Sequence, residues 1–378
     1  MSKLNVLHIA SFSGNIGDNA NHRGFRNTLE NNTDLNIEYQ EYEIRQLFRS
    51  QKPFDSDFVA LANQFDLLIF GGGNYFELWV ERSATGTSID IELELLDQIK
   101  APIVFNGLGV DPAQGASRNC IEKFRRFLDY CIARRDILLS CRNDGSLKAL
   151  QHLLGPHYAN AFYHVPDTGF YCHYDHEHCT EIVEEKRNIV IQVAGDMLEK
   201  RYCSAENAHQ RFITQIALVI EELAQNNNHV ILVPHIYRDL AEIYRILEVL
   251  PDETVRERVT VAPYLVGDRG SNHIMNIYAQ SDLVIAMRFH ANVCAIGFGR
   301  PCIPLINYPQ IEGLCTELDI TDKIYVDGDD FAPRLCELSK NRLLSNHLTP
   351  QLDAIWFERL KHFHKEISEL ITKKRIVQ

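Results

Sequence analysis

An arginine and a histidine two residues apart, Arg288 and His290, stand directly behind the apolar run DLVIAM (282–287). A guanidinium at the exit of a buried strand is a poor packing element, because burying it without a partner costs several kcal/mol. At the start of a helix a fixed cation also opposes the helix dipole, unless an anion sits there. Arg288 offers a fork for carboxylate or phosphate, His290 a second donor, and a helix from Phe289 adds backbone amides. The chemistry this points to is the grip of a small anion. The alternative is a salt bridge from Arg288 to a neighbouring carboxylate.

Three further stretches follow apolar runs. In SFSGNIGDNANHRG (11–24), Gly14 and Gly17 let the chain turn tightly and let a ligand approach the backbone near Asn15 and Asp18. The spacing is neither a P-loop nor the dinucleotide G-x-G-x-x-G. A plain strand-to-helix turn with Asp18 or Asn19 as N-cap explains it equally well. In GGGNYFE (71–77), glycines such as Gly72 and Gly73 suit a backbone approached closely by a ligand or by a packed helix, with Asn74 and Glu77 just beyond. In ILVPHIYRD (231–239), His235 stands at a strand exit, and Asp239 reads either as a helix cap or as a chemical group. The run CHYDHEHC (172–179) looks metal-like but lacks the paired-cysteine turn and distant second pair of a closed zinc site. A solvated hinge is the expectation there, and no metal is expected.

These groups need elements to position them. Apolar runs at 4–10, 66–73, 102–109 and 136–142 alternate with helix-like stretches at 17–30, 117–130 and 144–154. A second series runs through 188–193, 229–235, 259–264, 282–287 and 302–306, with amphipathic connections at 205–225 and 238–249. Short strands rich in Val, Ile and Leu are buried on both faces, as in a parallel sheet. The pattern predicts α/β architecture, two doubly wound Rossmann-like domains facing a cleft. The expected division is 1–182, 183–345, and a C-terminal segment 346–378 whose helix over 352–374 packs on or across the domains. Ligands in such sheets bind beyond the carboxyl ends of strands, where all four stretches lie.

The composition is that of ordinary globular protein: 378 residues, 45% hydrophobic, 24% charged, net charge −13. That acidity argues against nucleic acid as a partner. No 18-residue apolar run and no signal-peptide pattern at Met1 are found, so a cytoplasmic protein with scattered free thiols such as Cys141, Cys294 and Cys302 is expected. The basic end ITKKRIVQ (371–378) allows at most peripheral membrane contact.

Six motifs occur in a telling order: NIGDN (15–19), FGGGN (70–74), CRNDGS (141–146), VPD (165–167), VPH (233–235) and MRFHANVCAIGFGRPCIPLINY (287–308). Together they resemble the polysaccharide pyruvyl transferases, over roughly residues 5–320. The resemblance implies a GT-B-like pair of α/β domains. It also implies an enzyme that takes phosphoenolpyruvate as donor and installs pyruvate as a cyclic ketal across two hydroxyls of a saccharide, possibly lipid-linked. The donor would fall to Arg288, Phe289 and His290, with His235 and Arg201 nearby in the C-terminal half. The acceptor would fall to the N-terminal half, at Asn15, Gly17, Asp18, Gly72, Gly73, Asn74 and Glu77.

Ketal formation needs a proton delivered to the donor's methylene carbon, a base for the attacking hydroxyl, and stabilisation of departing phosphate. It needs no hydride acceptor and no obligatory metal, so no cofactor is expected. His290, Arg288 and Asp18 are the candidate catalytic groups. The chain also departs from the family pattern. Ala194 and Gly195 stand where relatives often carry an arginine, and Gln310 where they often carry a lysine. Either a second donor cation is absent, or Arg201 supplies it from a loop. Two other activities stay open: a nucleotide-sugar glycosyltransferase, with Glu312 or Glu317 for a ribose, and a non-catalytic sugar-binding relative.

Overall fold

The computed structural model describes residues 3–48, 52–202, 207–225, 227–344 and 352–377. Its strands are β1 (Leu4–Ala10), β2 (Ile37–Glu43), β3 (Leu67–Glu77), β4 (Ile103–Asp111), β5 (Ile137–Arg142) and β6 (Tyr163–Val165) in one sheet. The other sheet holds β7 (Arg187–Gln192), β8 (Asn228–Leu232), β9 (Val259–Val261), β10 (Leu283–Ala286), β11 (Cys302–Ile306) and β12 (Ile324–Tyr325). Every pairing is parallel, in the orders β2-β1-β3-β4-β5-β6 and β12-β11-β10-β7-β8-β9. Both are doubly wound α/β arrangements, as the sequence pattern predicts.

The order reverses between β1 and β3 in the first sheet and between β7 and β10 in the second. Such switch points leave a crevice at the carboxyl edge, because the crossovers on either side run to opposite faces. Of the strands that flank these points, β10 (LVIA) is apolar throughout and fully buried. Three strands are not foreseen by the periodicity. The strand β2 (IEYQEYE) is a polar edge with alternating exposure, while β6 and β12 span only three and two residues.

Contacts divide the described chain into two units. One comprises the residues up to Ser13, Asn21–Thr168 and the chain from Asp353; the other comprises Gly14–Ala20 and Gly169–Leu352. The expected boundary at 182/183 therefore lies beyond the observed one. Phe170, Cys172 and Cys179 are buried in the second unit's core, so this stretch is part of that unit and not a solvated hinge. Its backbone is tied down as well: Asp175 and Glu177 donate their N–H groups to the side chains of Asn272 and Asn276. Among the described residues no cluster of three His, Cys, Asp or Glu side chains forms a metal site.

The C-terminal helix Ala354–Val377 belongs to the first unit, with Phe363 against Tyr163 and Trp356 against His164 of β6. Residues 346–351 and 378 of the segment expected over 346–378, and 205–206 of the helix expected over 205–225, lie outside the described residues. Among the described residues no helix is long and apolar enough to cross a membrane.

Candidate active site

At the switch point of the second sheet, β10 ends and Arg288 takes an extended conformation as N-cap of the helix Phe289–Gly297. The neighbouring strand fixes that exit: Gln192, last residue of β7, accepts the Met287 N–H on its carbonyl (3.1 Å) and the Arg288 N–H on its side chain (2.8 Å). Asn292, one turn into the helix, donates back to the carbonyls of Ala286 and Arg288. The arginine backbone is thus held from both sides before its side chain does anything.

That side chain is 6% exposed and does not wait for an external anion. Its Nε donates to Asp239 Oδ2 at 3.0 Å, and Nη2 donates to Asp239 Oδ1 and, at 2.9 Å, to Asp196 Oδ1. The carboxylate alternative, raised by the sequence alone, describes where this guanidinium points. Burial opposes its charge, but the Asp239 and Asp196 carboxylates outweigh that and raise its pKa further. Asp239 is fully enclosed and also accepts the N–H groups of Gly195, His235 and Ile236. It is both a loop clamp and a counterion, more than the cap expected of it.

Arg201 joins the same cluster. Its Nη2 lies 3.3 Å from Asp196 Oδ1, its Nε donates to the Asp196 carbonyl, its Nη1 donates to Asn307 Oδ1 (3.1 Å), and it covers the ring of Tyr308. Burial, and then the Arg288 cation, lower its pKa. The departure at Ala194 and Gly195 now has a physical reason. A Cβ on Gly195 would stand 2.1 Å from the Arg238 carbonyl oxygen, so a side chain cannot be accommodated there. Arg201, from the short helix Leu198–Arg201, occupies the neighbourhood instead. Gln310 lies in the first turn of the helix Pro309–Glu317, and Glu312 of that helix bonds the hydroxyl of Tyr325.

His290, in the first turn of its helix, sets Nδ1 3.4 Å from Asp18 Oδ1. Asp18 lies in the first turn of the helix Ile16–Asn32, so neither it nor Asn19 is the expected N-cap, and Asn15 precedes the helix instead. The Asn15 side chain accepts the Gly17 N–H, the Ile16 N–H points to the His235 carbonyl, and Asn19 donates to Asp268. Gly17 is required, since an added Cβ would lie 2.5 Å from His290 Cβ. Asn15, Gly17 and Asp18 therefore belong to the second unit, with the expected donor residues. They lie outside the N-terminal domain in which they were expected.

Two expected donor contacts are placed differently. Phe289 is buried in the apolar core beside the His290 ring. His235 is completely buried, bonded through Nε2 to the Tyr278 hydroxyl, and burial, then Arg288 and His290, drive its pKa well below the usual imidazole value. Both hold the site's frame.

Gly72, Gly73, Asn74 and Glu77 lie on β3, in the first unit. The glycines are explained by packing: a Cβ on Gly72 would meet the Asn21 side chain at 2.4 Å, and one on Gly73 the Tyr75 ring at 2.5 Å. Asn74 Nδ2 donates to Asp111 Oδ2 (3.0 Å) and reaches Glu77 Oε1 (3.5 Å). Glu77 also accepts from Ser88 and Gln114, yet burial, with Asp111 close by, pushes its carboxyl up to about 7. Sequence reasoning noted the CRNDGS and VPD motifs without assigning their residues. They form an ion cluster in which Arg142 bonds Asp144 (2.7 Å) and Asp167 (3.4 Å). Asp196 and Asp239 were also missed as arginine partners. The one signal for them was the replacement of a family arginine by an aspartate-bearing turn.

Solved structures with the same fold include UDP-GlcNAc 2-epimerase from Methanocaldococcus jannaschii (8% identity, 97% of this chain and 100% of that one, TM-score 0.56). They also include the Neisseria meningitidis enzyme bound to UDP-GlcNAc (12%, 98% and 100%, 0.55) and S. aureus MnaA with UDP (13%, 98% and 98%, 0.57). At these identities the likeness shows the fold, a GT-B-like pair of Rossmann-like units. No curated protein sequence matches the chain significantly. Residues 15–308, from the turn that carries Asp18 to the Tyr308 ring beneath Arg201, match the polysaccharide pyruvyl transferase profile, and the chain belongs to that family.

Proposed function

We propose that this chain transfers pyruvate from phosphoenolpyruvate to two hydroxyls of a sugar in a cell-surface polysaccharide or its lipid-linked precursor. The observation that carries this reading is the meeting of Arg288 and Arg201 on one carboxylate at the switch point of the second sheet, with the Asp18–His290 pair at the start of the same helix. A donor with one carboxylate and one phosphate needs concentrated cations in a protein of net charge −13.

The chemistry assigns the parts. A proton goes to the methylene carbon, which turns the donor's central carbon into an electrophile. One acceptor hydroxyl adds there and gives up its proton; the carbon–oxygen bond to phosphate then breaks, and the second hydroxyl closes the ketal, its proton leaving with the phosphate. Electrons stay paired throughout, so no redox cofactor enters. Arg288 and Arg201 would balance the anionic groups, and His290, oriented by Asp18, would deliver a proton to the donor or to departing phosphate. Glu77, with its carboxyl near neutrality, would handle acceptor hydroxyls together with Asn74. Such an enzyme would work in the cytoplasm, meeting a lipid-linked acceptor at the membrane surface.

The test is phosphate release coupled to acid-labile pyruvate on the sugar, measured with phosphoenolpyruvate and candidate saccharides. Loss of both products in Arg201→Ala, with folding retained, is the expected result. Equal phosphate release from wild type and Arg201→Ala would refute it. A thermal shift with UDP but none with phosphoenolpyruvate would favour the nucleotide-sugar alternative.

A further inference from the structure

The two acids on Arg288 are not equivalent. Asp239 is fully enclosed and bound by three backbone N–H groups besides the guanidinium. The Asp196 side chain is 23% exposed, and besides its own backbone N–H the groups bonded to its carboxylate are the two guanidiniums themselves. A single oxygen, Oδ1, sits between Arg288 Nη2 (2.9 Å) and Arg201 Nη2 (3.3 Å). That is how a pair of arginines grips one oxygen of a carboxylate or phosphate ligand. A third donor lies beside them. Asn307 accepts from Arg201 on Oδ1, while its Nδ2 is enclosed and has no acceptor among the described residues.

We infer that Asp196 is an internal stand-in for the donor's anionic group, occupying the cradle of Arg201, Arg288 and Asn307 until a substrate carboxylate or phosphate displaces it. The inference rests on the donor reading above and deepens it by naming the residue that competes with the donor. The charge balance supports the exchange. Two arginines and two aspartates sum to zero, so the cluster attracts no further anion while Asp196 remains. When Asp196 swings out, one net positive charge is left and Asn307 Nδ2 gains an acceptor. In leaving, Asp196 gives up at most the bond to its own backbone N–H and recovers water, whereas Asp239 would forfeit three bonds to other residues. Asp239 therefore stays and keeps Arg288 in place for either occupant.

A cradle blocked by its own side chain binds more weakly, in proportion to the fraction of molecules in which it is open. If Asp196 stands aside in about one molecule in ten, removing its charge tightens anion binding about tenfold. Isothermal titration of wild type, Asp196→Asn and Asp196→Ser with phosphoenolpyruvate and, separately, with inorganic phosphate provides the test. The serine variant serves if the asparagine variant folds poorly. Tighter binding of both ligands by either folded variant is the expected result. Affinity for both that is unchanged or weaker overturns the inference and makes Asp196 a structural partner of the arginines. Tighter binding of phosphate, with phosphoenolpyruvate bound by no protein, upholds the stand-in and overturns the donor reading instead.

Discussion

The two sheets each carry a buried ionic cluster at the carboxyl edge, and the two clusters are composed differently. In the second unit, Arg201 and Arg288 face Asp196 and Asp239, two cations against two anions. In the first, Arg142 stands with Asp144 and Asp167, and Asn74 links the same neighbourhood, around Gly109, to Asp111 and Glu77. That is one cation against four carboxyl groups, and burial favours the protonated form of two of them. Burial raises Asp144, and burial with Asp111 close by pushes Glu77 to about 7. A balanced cluster with an exchangeable acid suits an anion. An acid-rich cluster with a carboxyl titrating near neutrality suits hydroxyl groups, which need a base to lose a proton and an acid to regain one.

The largest break in this contrast comes from removing the cations. Arg288→Met leaves Asp239 buried and unpaired, at an expected cost of about 3–5 kcal/mol in urea unfolding, with loss of turnover. Arg142→Met costs less, and its cost shrinks toward acid pH, because burial already raises Asp144 toward its protonated form. Equal costs at all pH values would show that the clusters do not differ in this way. For the reaction, His290→Gln lowers kcat on the order of 10²–10⁴-fold while donor affinity changes little, read from phosphate release and titration side by side.

Glu77 gives the pH signature of the acid-rich cluster. Its folded pKa, about 7, lies above the reference 4.5. Between those values the native state holds a proton that the unfolded chain has lost, so stability falls as pH rises through that window. The total is about 3–4 kcal/mol, and Glu77→Gln removes this slope and stabilises the protein at neutral pH. An unchanged slope would place the proton elsewhere. The smallest effect is expected at Gly17→Ala, where the new Cβ presses on His290. A loss of about 1–3 kcal/mol in thermal unfolding accompanies a drop in kcat as the Asp18–His290 pair is forced apart.

Much of this frame was legible from residue order. Runs such as LNVLHIA and DLVIAM are continuous because both faces of a central parallel strand are covered, and that is visible in composition. The strand β2 was not legible, since an edge strand pairs on one side and its alternating Glu and Tyr residues imitate a solvated segment. The burial of Phe289 and His235 was not legible for a related reason. Position at a strand exit does not reveal whether a ring turns outward or into the core, and here both turn inward.

What the amino-acid order by itself determined is the class of fold, the placement of Arg288 and His290 at a sheet edge, and the family to which those motifs belong. Hydrophobic periodicity and chain spacing are local properties, carried from one residue to the next. Only the tertiary structure decided what those side chains touch. The partners of Arg288 lie 49 and 92 residues away, at Asp239 and Asp196, and Asp18 reaches His290 from the other end of the chain. Charges in a dry sheet edge must be neutralised by whatever the fold brings within hydrogen-bond reach. That reach is set by how the crossovers wind, so the chemistry of the site emerges only when distant segments meet.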